Sequence, residues 1–146
     1  MNAAGEDRLE PGGLSKGIPI HVVATTVGGT RGALAAALML AGVTDSRVCV
    51  IARTGIPEGV SKVPATETAQ AFAQDIRQLP GASSPRVDVV AIISRQPTDL
   101  CPLLPPRALV FVGGNSGRWW SSAEQRTAYA FTRRGCRVVF VHAERG

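Results

Sequence analysis

Lysine is almost absent from this chain of 146 residues, occurring only at Lys16 and Lys62, so its net charge of +5 rests on arginine. Proteins that bind nucleic acid through the phosphate backbone gather their basic side chains on one face or along one helix. The arginines here are scattered, and no segment forms a dense basic stripe. We therefore expect that nucleic acid is not a partner, and we interpret the arginines as solvated surface residues.

Cysteine and histidine are also scarce, and their spacing fits none of the common metal motifs. Cys49, Cys101 and Cys136 form neither a CxxC pair nor a Cys/His pattern that suits zinc. Their odd number favours free thiols in a reducing compartment. The only histidines, His21 and His142, lie in or beside predicted strands, where a structural role is more common than catalysis. The sequence therefore predicts no catalytic residue and no metal site.

Long apolar runs are missing as well. A spanning helix needs about 20 apolar residues, and the longest candidate, 32–42, is shorter. Residues 1–17 carry Glu6, Asp7 and Glu10 where a signal peptide would have its apolar core. We therefore expect a cytoplasmic protein with no membrane partner. We interpret residues 1–17 as a disordered leader and residues 18–146 as a single α/β domain.

The rest of the chain alternates short apolar, β-branched runs with segments of helical periodicity. Helix 31–41 is expected to be capped by Thr30 and ended by Gly42. Uniformly apolar strands separated by helices are typical of a parallel sheet covered on both faces. The sequence thus predicts an α/β fold with a five-stranded, parallel, doubly wound sheet. The predicted strands are 18–25, 47–52, 87–93, 108–112 and 136–142. Full helices are predicted at 31–41, at 66–79, and from Ser121 or Ser122 to Arg134. Because of its prolines, the segment 98–103 is predicted to form only one helical turn.

Two loops after predicted strands, 25–30 and 113–122, are rich in glycine and hydroxyl residues. Ligands of open parallel sheets bind beyond the carboxyl ends of the strands, where the winding reverses. Bare backbone N–H groups with a helix N-terminus behind them can hold a phosphate there. The run 113–117 matches neither GxxxxGK[ST] nor GxGxxG, so ordinary turn glycines are the alternative interpretation.

Trp119 and Trp120 precede the last predicted helix. Adjacent tryptophans could offer a stacking surface for a base or an anchor for a protein partner. More often such side chains pack a loop onto the core. The sequence favours packing but does not decide between the buried and the exposed arrangement.

Three segments together resemble the universal stress proteins. The run 22–34 is similar to the opening strand, turn and alanine-rich helix of that family, and Leu109 to Gly114 is similar to its fourth strand and glycine turn. Residues 119–126, leading to 138–141, resemble its last helix and strand. The resemblance covers about residues 18–143. It implies a flavodoxin- or Rossmann-like five-stranded sheet and a homodimer paired through the last strand, here Val138, Val139, Phe140 and Val141.

The chain departs from the pattern of the nucleotide-binding members at several positions. Thr25 stands where those members have an aspartate. Gly114 and Gly117 give the first half of their G-x2-G-x9-G-[ST] pattern, but Thr127 replaces the third glycine. The serines come too early, as in short-loop members that do not hold ATP. The candidate ligand-binding residues that the resemblance implies are Thr25, Gly114, Gly117, Ser121 and Ser122.

Three hypotheses follow. The first is a non-catalytic binding or regulatory protein of the stress-protein type, which acts as a dimer with an unidentified protein partner and needs no cofactor. The second is a nucleotide-binding protein that takes ATP or AMP and hydrolyses it weakly at most. The third is an accessory domain or small enzyme of another flavodoxin-like family, docked through the proline-broken third helix.

Overall fold

The computed structural model describes residues 19–24, 26–56, 62–105, 107–114 and 122–142. Helices and strands alternate along these residues in the predicted order. A 3-10 helix, Pro97–Leu103, joins the third strand to the fourth, as the prolines of that segment predict. The strands are β1 Ile20–Ala24, β2 Val48–Gly55, β3 Val87–Ser94, β4 Leu109–Gly114 and β5 Arg137–His142, and the helices are α1 Val27–Thr44, α2 Lys62–Arg77 and α3 Ser122–Arg133.

The five strands form one parallel sheet in the order β3-β2-β1-β4-β5. The predicted five-stranded parallel sheet is therefore confirmed. The chain moves outward from β1 to β3, returns to β4 on the other side of β1, and continues to β5. Because crossovers are right-handed, this path places α1 and α2 on one face and the 3-10 helix and α3 on the other. The winding reverses between β1 and β4.

Side chains of the two sheet faces build two separate cores, since neighbouring residues of a strand point to opposite faces. Under α1 and α2, the core includes Val22, Val50 and Phe111, packed against Leu34 and Ile76. On the other face, the core joins side chains of three inner strands to the 3-10 helix and α3; its buried members include Val23, Ile51, Val110, Leu100 and Phe131. Phe131 is completely buried and fixes α3 on the sheet.

The ends of α1 differ from the prediction. Thr26, and not Thr30, caps the helix: its side-chain oxygen accepts the Gly29 N–H at 3.0 Å. The Thr30 hydroxyl instead donates to the Thr26 carbonyl. Gly42 lies inside the helix, which ends at Asp45 in a left-handed conformation with φ of 56°. A salt bridge of 3.1 Å from Arg86 holds the Asp45 carboxylate, which stabilises this ending.

Other boundaries also move. β2 runs on to Gly55, because residues 53–55 pair with Ile92, Ile93 and Ser94 of β3. α2 begins earlier than predicted, at Lys62, with Pro64 in its first turn. Proline is tolerated there because the N–H groups of a first turn have no acceptor within the helix, so the N–H that proline lacks is not needed. The first strand begins later than predicted, at Ile20. None of these shifts changes the order of elements.

Among the described residues, α1 alone is long and apolar enough to cross a membrane by length and composition. It is longer than the apolar run 32–42 on which the sequence prediction rested. In this structure α1 lies on the sheet, with Ala33, Leu34, Ala37 and Ala41 fully buried. The helix is thus explained as a core element, while the cytoplasmic location of the protein stays a prediction.

Candidate functional site

The winding reverses at the carboxyl ends of β1 and β4, which lie side by side. Val23 of β1 pairs with Val112 of β4, and α1 begins only a few residues after β1 ends. Both loops predicted to bind a ligand start at these neighbouring strand ends. In an open parallel sheet this is the place where ligands bind.

Two glycines bring α1 onto β4 at this point. A Cβ atom on Gly113 would lie 1.9 Å from the carbonyl oxygen of Gly29, and a Cβ on Gly29 would lie 2.6 Å from the carbonyl oxygen of Gly113. Backbone therefore packs directly on backbone, which only glycine at both positions permits. Gly113, predicted as the start of a glycine-rich loop, belongs to β4. The contact holds the first turn of α1 beside the carboxyl end of β4.

The N-terminus of α1 presents free donors to this edge of the sheet. Thr26 accepts the N–H of Gly29 through its side chain and the N–H of Thr30 through its carbonyl, both at 3.0 Å. The N–H groups of Val27 and Gly28 have no acceptor within the described part of the chain. Such donors, together with the positive end of the helix dipole, favour an anion.

The predicted site residues are only partly placed by the structure. Gly114 is the last residue of β4 and pairs with His142 of β5, so it lies at the carboxyl edge beside the α1 N-terminus. Ser122 is the first residue of α3. Thr25, Gly117 and Ser121 lie outside the described residues, as do Trp119 and Trp120. The structure therefore brings Gly114 to the candidate site and leaves the roles of the others as predictions.

Sequence reasoning missed Thr26 and Gly29, which shape the site more than Thr30 does. The signal available was a threonine followed three residues later by a glycine, directly after a strand. A cap one turn earlier fits that spacing equally well, because a capping side chain bonds the N–H two or three residues ahead. In the structure Thr26 is the cap, and Gly29, whose N–H it binds, is also the glycine that contacts Gly113.

A row of potentially catalytic side chains crosses the opposite, amino edge of the sheet. His21 of β1 pairs with Cys49 of β2, which pairs with Asp88 of β3. Burial raises the pKa of the Cys49 thiol, and the Asp88 carboxylate raises it further. Asp88 itself forms a salt bridge of 2.6 Å with Arg47. A reactive cysteine needs a lowered pKa, whereas the pKa of Cys49 is raised. We therefore interpret this row of side chains as structural.

His21 is buried, and its Nδ1 atom has no hydrogen-bond partner among the residues that the structure describes. Burial lowers the pKa of His21, and a weaker backbone interaction with Leu109 opposes the shift. The imidazole is therefore neutral at pH 7. Within the residues that the structure describes, no group of three or more His, Cys, Asp or Glu side chains is placed to hold a metal ion.

Comparison with known proteins gives a structural likeness only. No protein-family profile matches the chain, and no curated protein is similar enough in sequence to count as a relative. A universal stress protein from Archaeoglobus fulgidus superposes with a TM-score of 0.54 at 14% identity, over 86% of this chain and 94% of that one. The chain has the fold of the universal stress proteins.

Two further universal stress protein structures match this fold to the same degree. One, from Archaeoglobus fulgidus in complex with dAMP, has a TM-score of 0.53 at 13% identity, over 85% of this chain and 97% of that chain. The other, in complex with cAMP, has a TM-score of 0.53 at 12% identity, over 86% of this chain and 97% of that chain. The fold predicted from the run 22–34 and its companion segments is therefore confirmed. At these identities the likeness establishes the fold and not the function.

Proposed function

We propose that this chain is a non-catalytic binding protein of the universal stress protein type, and that it takes a nucleoside monophosphate where β1 and β4 end. The observation that carries the proposal is the α1 N-terminus. Its Val27 and Gly28 N–H groups have no acceptor among the described residues, and the Gly29–Gly113 contact holds them near Gly114. Proteins of the same fold have been solved with dAMP and with cAMP, each of which carries one phosphate.

The size of the anion follows from the donors that are present. A helix N-terminus supplies about half a unit of positive charge, which suits a single phosphate group better than a triphosphate. The sequence contributes no P-loop lysine and has Thr127 in place of the third glycine of the ATP-binding pattern. We therefore favour AMP-like ligands over ATP. The absence of an aspartate at Thr25 and the unactivated Cys49 support a binding role without catalysis.

The first test is thermal unfolding of the purified protein with AMP, cAMP, dAMP, Mg-ATP and adenosine. A ligand at about 100 times its dissociation constant stabilises the folded state by about 2.7 kcal/mol, which is a visible shift of the melting temperature. We expect the monophosphates to raise this temperature more than ATP, and adenosine to have little effect, because adenosine lacks the anion.

A backbone variant tests whether the α1 N-terminus is the site. Val27→Pro removes one free N–H, and proline is tolerated there because it is the first helical residue and follows the extended Thr26. We expect it to abolish most of the AMP shift. Val63→Pro makes the same change in the first turn of α2 and should preserve the shift. If no nucleotide shifts the wild type, the nucleotide proposal is wrong and a protein partner becomes the better explanation.

A second candidate function is self-association through β5. Among the described strands, β5 lies at one edge of the sheet, and its Val139 is 38% exposed. An apolar edge strand can pair with a strand of another molecule, and a second copy would supply one. We propose a homodimer that uses Val138, Val139, Phe140 and Val141, with further protein partners unidentified.

A further inference from the structure

A cavity of about 310 Å³ opens at the carboxyl edge of β2 and β3, beside the 3-10 helix. Its apolar walls are Ile56, Ile92, Ile93 and Leu103. This volume is at the lower end of the range of about 300–1,000 Å³ that is typical of small-molecule sites. The cavity lies to one side of the β1–β4 switch point, so the nucleotide proposal does not use it.

Arg53 of β2 is not part of the cavity wall itself, but it is bonded to Ser94, which is. Its Nε atom donates to the Ser94 hydroxyl at 2.7 Å, and its Nη2 atom donates to the Ser94 carbonyl at 3.2 Å. Ser94 lines the cavity, and its hydroxyl donates in turn to the Gln96 carbonyl at 2.9 Å. The guanidinium lies close to Gly55, where a Cβ atom would be 3.4 Å from Nη2. Side chain and backbone thus hold the Arg53 side chain in one orientation.

Within the part of the chain that the structure describes, no carboxylate lies within ion-pair distance of the Arg53 guanidinium, and the N–H groups on Nη1 have no acceptor. Burial lowers the pKa of Arg53, and the more distant Asp99 opposes that shift. The Asp99 carboxylate accepts the Gln96 N–H at 3.0 Å as part of the 3-10 helix cap. Because the half-buried Arg53 guanidinium is bonded only to Ser94 among the described residues, its charge is available to an incoming anion.

We propose that this cavity binds a small organic acid, whose apolar body contacts the isoleucine and leucine walls while its oxyanion pairs with Arg53. After the two bonds to Ser94, one N–H on Nη2 and both on Nη1 remain free, and one from each nitrogen can together bind the two oxygens of a carboxylate or a phosphate. Arg95 adds a second positive charge to the cavity wall, and Asp99 supplies one negative charge. One positive charge therefore remains for the ligand to neutralise.

The test uses three probes of similar size: benzoate, phenyl phosphate and the neutral benzyl alcohol. Calorimetric titration of the full chain at constant ionic strength should show that the two anions bind more tightly than benzyl alcohol by about tenfold or more, the usual worth of hydrogen bonds to a charged group. The stronger of the two anions identifies whether the natural acid is a carboxylate or a phosphate. Equal binding of anions and alcohol, or no binding of any probe, would overturn the proposal.

Two variants locate the site. Arg53→Gln removes the charge and should weaken the anions by about tenfold without changing benzyl alcohol. Arg47→Gln makes the same change at the amino end of β2, where the side chain is 60% exposed, and should leave all three probes unchanged. If Arg53→Gln does not fold, Leu103→Trp fills the cavity from an exposed position without touching Arg53 and should abolish binding. Anion binding that survives either Arg53→Gln or Leu103→Trp would place the anion elsewhere and refute the proposal.

Discussion

Gly29 and Gly113 allow α1 to pack closely on β4, because neither residue has a Cβ atom that would separate the two backbones. Because the added Cβ of Gly113→Ala would meet the Gly29 carbonyl at 1.9 Å, the backbone of α1 or β4 would have to move. Overpacking of this kind costs about 1–3 kcal/mol, and two rigid backbones place it at the upper end. We expect Gly113→Ala to lower the free energy of unfolding by about 3 kcal/mol, measured by urea denaturation.

Gly42→Ala is the matched control for that variant. Gly42 lies inside α1, and a Cβ added there would meet no atom within 4 Å. Alanine has the higher helix propensity, so this variant should raise the free energy of unfolding by about 0.5–1 kcal/mol. A free energy of unfolding that Gly113→Ala leaves unchanged or raises would show that the Gly29–Gly113 contact does not constrain the fold.

At the scale of single elements, the two edges of the sheet differ in what they leave exposed. Among the described strands, β3 and β5 form the two edges, and each carries one valine that is more than a third exposed, Val90 at 39% and Val139 at 38%. β3 is also covered at its amino end by the exposed Arg47–Asp88 salt bridge. Charged side chains protect a sheet edge from pairing, and β5 has one as well, the exposed Arg137 at its amino end. We therefore propose that a second copy pairs with the apolar part of β5 that follows, Val138 to Val141.

Val139→Lys tests the dimer at this edge. We expect the wild type to have twice the 15.3 kDa mass of the chain by light scattering after size exclusion, and Val139→Lys to have the mass of a monomer. Lysine at a strand edge opposes pairing through charge and desolvation. Val90→Lys is the control at equal exposure on the other edge and should remain dimeric. A monomeric wild type, or dissociation by both variants, would rule out β5 as the interface.

At the scale of the whole molecule, the buried His21 couples folding to pH. Its pKa is lowered in the folded state, while the unfolded chain has the ordinary value near 6.5. The unfolded state therefore binds a proton more readily, and protonation favours unfolding. Stability contributed by neutral His21 is fully present above about pH 6.5 and is lost as the pH falls below that value toward the lowered folded pKa.

The urea midpoint of the wild type should consequently decrease between about pH 6.5 and pH 5. In His21→Leu this decrease should largely disappear, because the titrating group is gone and the apolar side chain suits a buried position. His142→Gln removes the other histidine and should keep the wild-type slope. An unchanged slope in His21→Leu would assign the pH dependence to other groups.

Much of the fold follows from local patterns that one sequence displays. Apolar runs such as 48–52 and 109–112 are strands buried on both faces, and the prolines at 97, 102, 105 and 106 reduce the third connection to a short helix. The sequence also shows glycine and hydroxyl residues directly after the predicted first and fourth strands, which is where the candidate site lies. These features are local, because they depend on neighbours along the chain and on the intrinsic preferences of each residue.

Contacts between distant residues were decided only by the tertiary structure. The close packing of α1 on β4 depends on where Gly29 meets Gly113, and the extension of β2 to Gly55 depends on pairing with β3. Arg53, which the sequence shows as one of many scattered arginines, becomes a candidate anion ligand only because Ser94 lies on the neighbouring strand. The sequence by itself therefore determined the kinds of element and their order. The structure decided which of them touch, since strand order and register are set by packing across the sheet rather than along the chain.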